Sequence, residues 1–310
     1  MKGEKLLNII ETLRFFRLKL KLTQKEMMSD YTDPSTYSKI ESGKRSLKVN
    51  ELEEILNQTS INVDEFFSFT TFDKQQQDFR ETFYYCGAHL ENKSTKQKLL
   101  NYYFGVKDKE KKSLRELSNY IAIKNFFNAH WDEVDPVTLE EIKEIFEDLL
   151  NKTFYIQYDY IITANLIRFF SAKQADLLLA RMFPIKYEDQ RDFTTKKFAH
   201  NILINLISMR LYAKDYESAE RYIRLAKKQD KQNENYSFKL NLQYLTNLLN
   251  YILEGEPVYM ERVYDFIHLL ENTGDTLQAE QVKTEVKMLT HERDSEKMLK
   301  SYAVGLLKES

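Results

Sequence analysis

Glycine, proline and cysteine are scarce in this chain of 310 residues, which contains 7 Gly, 4 Pro and 1 Cys. Folds rich in β-strands need Gly and Pro in their many turns, so this scarcity argues against them and favours long helices. The single cysteine, Cys86, excludes a disulfide within the chain and fits a reducing compartment. We therefore expect an all-α protein in which the Cys86 thiol is buried or idle.

Long apolar runs are also missing, because no window approaches the roughly 18 uncharged apolar residues that span a membrane. The opening sequence MKGEKLLNIIETLRFF carries charges throughout its apolar stretch and contains no small-residue cleavage site. It therefore does not resemble a signal peptide. These features predict a cytoplasmic protein that is not inserted in a membrane.

Catalytic and metal-binding patterns are absent from the sequence. The five histidines, at positions 89, 130, 200, 268 and 291, show no metal-ligand spacing among themselves or with Cys86. There is no glycine-rich phosphate loop and no G-x-S-x-G motif. Acidic clusters such as Glu140, Glu141 and Glu144 are typical of a solvated helix face. We expect no enzyme activity, no metal and no cofactor.

The charge is unevenly distributed along the chain. Residues 1–48 contain 11 Lys and Arg against 6 Asp and Glu, a balance of +5. The remaining residues carry a balance of −7, so the chain as a whole is at −2. A basic segment at one end of an acidic chain indicates that only this segment meets the phosphates of a nucleic acid.

Apolar periodicity and capping signals predict five short helices within residues 1–70. They span 6–21, a second segment from Thr23, a third from Pro34 to about Glu41, then 50–58 and 63–68. Thr23 and Glu26 have the spacing of a capping box. Asp33 and Pro34 are a further helix start signal, and Gly43 is a stop signal.

The rest of the chain reads as a connector followed by helical repeats. Residues 71–93 contain one predicted helix, the connector. In residues 94–310 the pattern predicts a succession of helices that recur roughly every 40 residues when counted as helix pairs. Their short breaks include Pro184, Lys214-Asp215 and Glu254-Gly255-Glu256-Pro257. This period predicts an α-solenoid of tetratricopeptide-like repeats. The final stretch, 275–310, reads as one or two amphipathic helices, which pack in the core, cap the repeats or form a dimer seam.

Three segments resemble the helix-turn-helix of the Xre, Cro and phage-repressor group. They are Arg17 with Leu22-Thr23-Gln24, the stretch Tyr37-Ser38-Lys39-Ile40-Glu41-Ser42-Gly43, and Val63-Asp64-Glu65-Phe66-Phe67. The resemblance implies that Gln24 contacts phosphate and that residues 33–41 form a recognition helix in the major groove. It also implies a structural charge pair between Arg17 and Glu41.

The recognition helix and the turn after it supply the expected DNA contacts. Tyr37 and Ile40 are three residues apart and should face the core. The remaining positions should face DNA, with hydroxyls and Lys39 reaching base edges or phosphate and the two later basic residues contacting phosphate. These residues are Ser35, Thr36, Ser38, Lys39, Lys44 and Arg45. Pro34 departs from the group, which usually places a polar base-reading residue there.

A short helix-turn-helix followed by a long helical-repeat region resembles the Rgg/GadR/MutR regulators. The stretch ESGKRSLKVNELEEILNQTSINVDEFF is especially similar to the Rgg type. The resemblance covers the layout of most of the chain and, in motifs, its first 70 residues. It implies a homodimer, binding to double-stranded promoter DNA, and a groove in the repeats that takes a short hydrophobic signalling peptide.

Polar and aromatic residues form stripes on three predicted helices, independently of that resemblance. On the helix 197–212, Asn201, Asn205, Ser208 and Tyr212 fall within about 60° of one another. Amide side chains donate and accept hydrogen bonds, so they can pair with the backbone of an extended peptide, and an arginine can bind its carboxylate. The candidate ligand-binding residues are Tyr158, Asn165, Arg168, Asn201, Asn205, Asn241, Tyr244 and Asn247.

Alternatives remain open at this stage. The asparagines could hold neighbouring repeats together or face solvent instead of binding a peptide. The helical region could respond to a protein or another small molecule. The chain could also be a repeat scaffold that does not bind DNA.

Overall fold

The computed structural model describes residues 7–28, 34–229 and 234–306, with backbone only for Pro34 and for residues 292–306. The chain divides into two compact units, residues 1–99 and residues 100–310. The described residues form fifteen α-helices, and their only β-pairing is an isolated bridge between Leu7 and Thr70. The all-helical architecture expected from the composition is confirmed.

The first unit contains five α-helices and the start of a sixth. They are α1 (Ile9–Lys19), α2 (Pro34–Glu41), α3 (Val49–Thr59), α4 (Val63–Ser68), α5 (Lys74–Ala88) and α6 (Lys93–Lys107), which ends in the second unit. The predicted connector helix corresponds to α5, which ends near His89. The division at 70 and 93 remains a prediction.

The second predicted helix of the helix-turn-helix is not an α-helix where the structure describes it. Residues 24–27 form hydrogen-bonded turns, and residues 29–33, including Asp33, lie outside the described part of the chain. The start signal is nevertheless formed. The Thr23 amide donates to Glu26 Oε2 at 2.7 Å, and the Glu26 amide donates to Thr23 Oγ1 at 3.3 Å.

One apolar cluster fixes these short helices against each other. Leu13 and Phe16 of α1 pack with Tyr37 of α2, Ile55 of α3 and Phe66 of α4. Tyr37, Ile55 and Phe66 are fully buried. Short helices have little stability alone, so this shared core sets their positions.

The second unit consists of helices joined by short breaks. Its helices are α7 (Leu114–Phe127), α8 (Leu139–Asn151), α9 (Gln157–Leu166), α10 (Ala172–Met182), α11 (Phe193–Tyr212), α12 (Tyr216–Ala226), α13 (Tyr236–Glu254), α14 (Pro257–Asn272) and α15 (Thr276–Leu306). A short 3₁₀ turn, Ile167–Phe169, extends α9. The break between α13 and α14 follows the sequence signals, since Gly255 adopts φ +77° after α13 and Pro257 starts α14.

The odd-numbered helices pack in a row. Helix α9 packs against α7 and α11, α11 packs against α13, and α13 packs against α15. Helices α12 and α14 pack beside this row against their sequence neighbours. Packing of each helix on the next repeat's equivalent is the arrangement of an α-solenoid.

Among the described residues, each helix is either too short or too polar to span a bilayer. Within the same residues, no group of three or more His, Cys, Asp or Glu side chains is placed to hold a metal ion.

Candidate DNA interface and ligand-binding residues

Helix α2 has one buried face and one accessible face. Tyr37 and Ile40 are fully buried, as the spacing predicted. Lys39 is exposed on the accessible face. The hydroxyl residues Ser35, Thr36 and Ser38 are half-buried. The accessible face therefore combines a flexible cation with short polar side chains.

The turn after α2 brings further basic residues close to Lys39. Gly43 adopts φ +72°, which lets the chain reverse at the end of the helix. The amides of Lys44 and Arg45 then donate to the carbonyl of Lys39 at 2.9 and 3.1 Å. Lys44 is exposed, and Lys39 and Lys44 take part in no ion pair with other described residues. Both ammonium groups are free to meet phosphate.

Arg45 differs from these two lysines because it is held within the unit. Its Nη2 donates to Glu51 Oε1 at 2.6 Å, and its side chain is 34% exposed. Hydrogen bonding from the Lys48 amide and from Arg45 lowers the pKa of Glu51. Arg45 therefore braces the start of α3 in addition to presenting charge.

Glu41, at the end of α2, accepts hydrogen bonds from side chains of two other segments. Arg17 Nη2 lies 2.7 Å from Glu41 Oε1, and Gln24 Nε2 donates to Glu41 Oε2 at 2.7 Å. Arg17 Nη1 also donates to the Leu22 carbonyl at 3.2 Å. The hydrogen bond to Glu41 raises the pKa of Arg17. The Gln24 amide is thus engaged inside the unit, and its phosphate contact stays a prediction.

The second unit carries the candidate ligand residues on the row of odd-numbered helices. Asn125 of α7 donates through Nδ2 to Asn165 Oδ1 of α9 at 3.1 Å. Asn165 in turn donates to the Ile161 carbonyl at 2.9 Å. One helix further, Asn205 of α11 donates to the Ala164 carbonyl at 3.4 Å. These amides therefore link neighbouring helices of the row.

Aromatic and basic candidates lie at the α7 and α9 end. Arg168 Nη2 donates to the Asn125 carbonyl at 3.2 Å, and its guanidinium lies 4.7 Å from the Phe169 ring centroid. The Tyr158 ring receives the guanidinium of Arg115 at 5.9 Å. Both contacts join α7 to α9 or to the 3₁₀ turn that follows it.

The candidates on α13 are more enclosed. Asn247 is 3% exposed and accepts from Gln243 Nε2 at 3.3 Å. Tyr244 is buried and stacks on Phe266 with ring centroids 5.1 Å apart. Asn241 donates to the Ser237 carbonyl at 2.8 Å. The α11 residue Asn201 is half-buried.

A small cavity lies beside Tyr244 and Asn247. It has a volume of about 400 Å³ and is lined by residues of α13 and α14, including Leu240, Arg262 and Phe266. It places two of the predicted ligand residues next to apolar and charged surface.

Two residues that sequence reasoning did not select join this set. Asn125 precedes Asn165 by 40 residues, so extending the repeat spacing backwards would have found it. Glu285 of α15 accepts hydrogen bonds from Ser208 of α11 and Tyr244 of α13. It has no comparable signal, because it lies 77 residues from Ser208 on a terminal helix.

Comparison with known families matches residues 13–66 to the family described as helix-turn-helix. The match runs from within α1 to within α4 and therefore contains all the predicted DNA contacts. No curated protein matches the sequence of the chain.

Solved structures share the fold at low sequence identity. The SHP pheromone receptor Rgg2 of Streptococcus dysgalactiae is 17% identical, with a TM-score of 0.68 over 91% of this chain and 99% of that one. PrgX in complex with cCF10 is 17% identical, with a TM-score of 0.73 and coverages of 90% and 98%. A bacterial peptide pheromone/receptor complex is 18% identical, with a TM-score of 0.72 and coverages of 91% and 98%. The chain therefore carries a helix-turn-helix domain at residues 13–66 and has a fold similar to that of Rgg2 and PrgX.

Proposed function

We propose that the chain is a homodimeric, cytoplasmic transcriptional regulator, not an enzyme, whose promoter binding or activity is controlled by a short hydrophobic signalling peptide. Residues 1–70 bind DNA, 71–93 connect, and 94–310 bind the peptide and form the dimer. One observation carries the proposal: a helix-turn-helix domain occurs in the same chain as a fold similar to that of pheromone receptors.

The geometry of α2 supports the DNA-binding part. Its buried face is fixed by Tyr37, and Glu41 ties its end to Arg17. Lys39 and Lys44 are exposed and adjacent to the half-buried hydroxyl residues. A rigid helix with cations at its accessible end suits insertion into the major groove with phosphate contacts beside it.

Amide chemistry supports the peptide-binding part. Asn165 and Asn205 lie on adjacent helices of one row, and Asn205 is exposed. An extended peptide lacks partners for its own backbone N–H and C=O groups, so such amides can pair with them. Peptide binding would favour one arrangement of the dimer and thereby change the spacing of its two DNA-binding domains.

The DNA-binding part is tested by fluorescence anisotropy with labelled duplex DNA from the region flanking the gene. We expect salt-sensitive binding, because neutralising phosphates releases counterions. A chain that binds no duplex at any salt concentration overturns the proposal and favours a repeat scaffold.

The peptide-binding part is tested by titrating short synthetic hydrophobic peptides into the full-length protein. The readouts are isothermal calorimetry and the anisotropy of the DNA complex. Binding that shifts the DNA affinity supports the proposal. If DNA binding is present but no peptide binds, the helical region responds to a protein or another small molecule instead.

A further inference from the structure

Polar contacts recur along the row of odd-numbered helices, and we name their side chains the polar ladder. Its members are Asn125, Asn165, Arg168, Asn205, Ser208, Tyr244 and Glu285. The contacts join α7 to α9, α9 to α11, and α11 and α13 to α15. Arg168 and Glu285 are the only charged members and lie at opposite ends.

Glu285 is an anion that the chain leaves without a cation. Its Oε1 accepts from the Ser208 hydroxyl, and its Oε2 accepts from the Tyr244 hydroxyl at 2.8 Å. Both donors are neutral, and no Lys, Arg or His of the described residues forms an ion pair with Glu285. The residue is half-buried. Two hydroxyls use only part of the acceptor capacity of a carboxylate, so it can still bind a cation.

The surroundings of Glu285 keep it oriented. Tyr244 is buried and stacked on Phe266, so its hydroxyl is fixed relative to α14. Tyr212, which is 47% exposed, lies one turn after Ser208, and the burial of part of its side chain together with the Glu285 charge raises the pKa of its hydroxyl. The carboxylate is thus held between α11 and α13 beside an accessible aromatic ring.

Arg168 is the charged residue at the end of the polar ladder opposite Glu285. Its guanidinium is exposed, donates to the Asn125 carbonyl and lies against Phe169. No carboxylate among the described residues pairs with it. A guanidinium that uses one of its five donors on a carbonyl keeps a fork for a carboxylate.

We propose that Glu285 binds the N-terminal ammonium of the peptide while Arg168 binds its C-terminal carboxylate. The polar ladder then recognises both termini, which fixes the direction in which the peptide lies along it. This inference rests on the proposed peptide-binding function. A short peptide made of apolar residues carries charge only at its two termini. A carboxylate and a guanidinium at opposite ends of the polar ladder can therefore select these termini.

The spacing of the two charges fits a short ligand. Arg168 lies where α7 meets α9, and Glu285 lies where α11 meets α13. These positions are two helix spacings apart, or about 16–20 Å. An extended chain covers about 3.3–3.6 Å per residue, so five or six residues bridge them.

The test uses the full-length protein and a mixture of synthetic peptides of about six residues, made from apolar amino acids with free termini. A peptide retained by the wild-type chain is resynthesised with an acetylated N-terminus or an amidated C-terminus. Affinities are measured by calorimetry for the wild type, Glu285→Gln and Arg168→Gln. Glu280→Gln and Lys173→Gln are the matched controls, since both remove an exposed charge away from the polar ladder.

We expect acetylation to weaken binding to the wild type and to both controls at least tenfold, but to have little effect on Glu285→Gln. Amidation should likewise weaken binding to the wild type and to both controls at least tenfold, but have little effect on Arg168→Gln. The Gln side chain can accept from one of the two hydroxyls through Oε1 and donate to the oxygen of the other through Nε2, and circular dichroism checks that each variant is folded.

The outcomes separate the two levels of the proposal. Equal affinity for free and acetylated peptide, or an unchanged acetylation effect in Glu285→Gln, overturns terminal recognition while peptide binding stands. Failure of the wild type to retain any peptide overturns the proposed function and this inference with it.

Discussion

The guanidinium of Arg17 lies 2.7 Å from the Glu41 carboxylate, although 24 residues separate the two along the chain. Arg17 belongs to α1, and Glu41 is the last residue of α2. Their side chains are only 15% and 6% exposed. Since Gln24 also donates to Glu41, one carboxylate fixes the end of the helix that carries the predicted DNA contacts.

We predict that Arg17→Ala destabilises the first unit by about 3 kcal/mol, because it leaves a largely buried carboxylate without its main partner. Hydrogen-exchange mass spectrometry of α1 and α2 measures the loss. Arg14→Ala is the control, since Arg14 lies 3.7 Å from the same carboxylate but is 65% exposed. It should cost about 0.5 kcal/mol or less. Similar losses for both variants would contradict the assigned role of Arg17.

Lys39→Ala and Lys44→Ala should each weaken duplex binding without reducing stability. Both side chains are exposed and have no ion pair with other described residues. For each phosphate contact removed, the slope of log affinity against log salt should fall by about 1. Anisotropy titrations at several salt concentrations measure this. Lys74→Ala, an exposed lysine at the start of α5, serves as the control and should leave the slope unchanged.

Arg45→Ala should weaken DNA binding and also reduce stability. Its pairing with Glu51 at 2.6 Å supports the first turn of α3, where Glu51 also accepts from the Lys48 amide. We expect a loss of about 1 kcal/mol in the first unit, as is usual for a partly exposed pair. Hydrogen exchange in α3 measures this loss and separates Arg45 from Lys39. Unchanged exchange in α3 would make Arg45 a DNA contact alone.

Substitution of Asn205 should affect peptide affinity, whereas substitution of Asn247 should affect stability. Asn205 is exposed, so Asn205→Ala should reduce peptide affinity and leave stability near that of the wild type. Asn247 is 3% exposed, so Asn247→Ala should destabilise the second unit by about 1 kcal/mol, because it removes the hydrogen bond with Gln243. Urea unfolding followed by the fluorescence of Trp131, the only tryptophan, reports on that unit. The reverse pattern would reject this division.

The parts of the fold set by local chemistry were predictable from the sequence. Gly255 and Pro257 mark a helix break because few other residues satisfy the conformations required there. The buried face of α2 followed from the spacing of Tyr37 and Ile40. Both depend on residues that lie within a few positions of each other.

The contacts between distant helices were not predictable from one sequence. Glu285 has no periodic equivalent, and its partners Ser208 and Tyr244 lie 77 and 41 residues away. The stripe on α11 could be recognised from helical geometry, but which helix covers its end depends on how the row packs. The depth of Asn247 likewise follows from the packing of α13 on α14.

The capping box at the start of α7 should make the second unit sensitive to acid. Glu116 accepts from Lys109 Nζ at 2.5 Å and from the Ser113 amide at 2.9 Å, and these contacts lower its pKa to about 2. An unfolded Glu has a pKa of about 4.3. The contribution is therefore fully present above about pH 4.3 and is lost as the pH falls towards 2.

Glu116→Gln should therefore be less stable than the wild type by about 1 kcal/mol at pH 7, and the difference should shrink as the pH approaches 2. Urea unfolding monitored by Trp131 at pH 7, 4 and 3 measures it. Glu110→Gln is the control, because Glu110 is exposed and makes no hydrogen bond or ion pair with the described residues. A difference that stays constant across this range would show that the charge of Glu116 contributes nothing to the stability of α7.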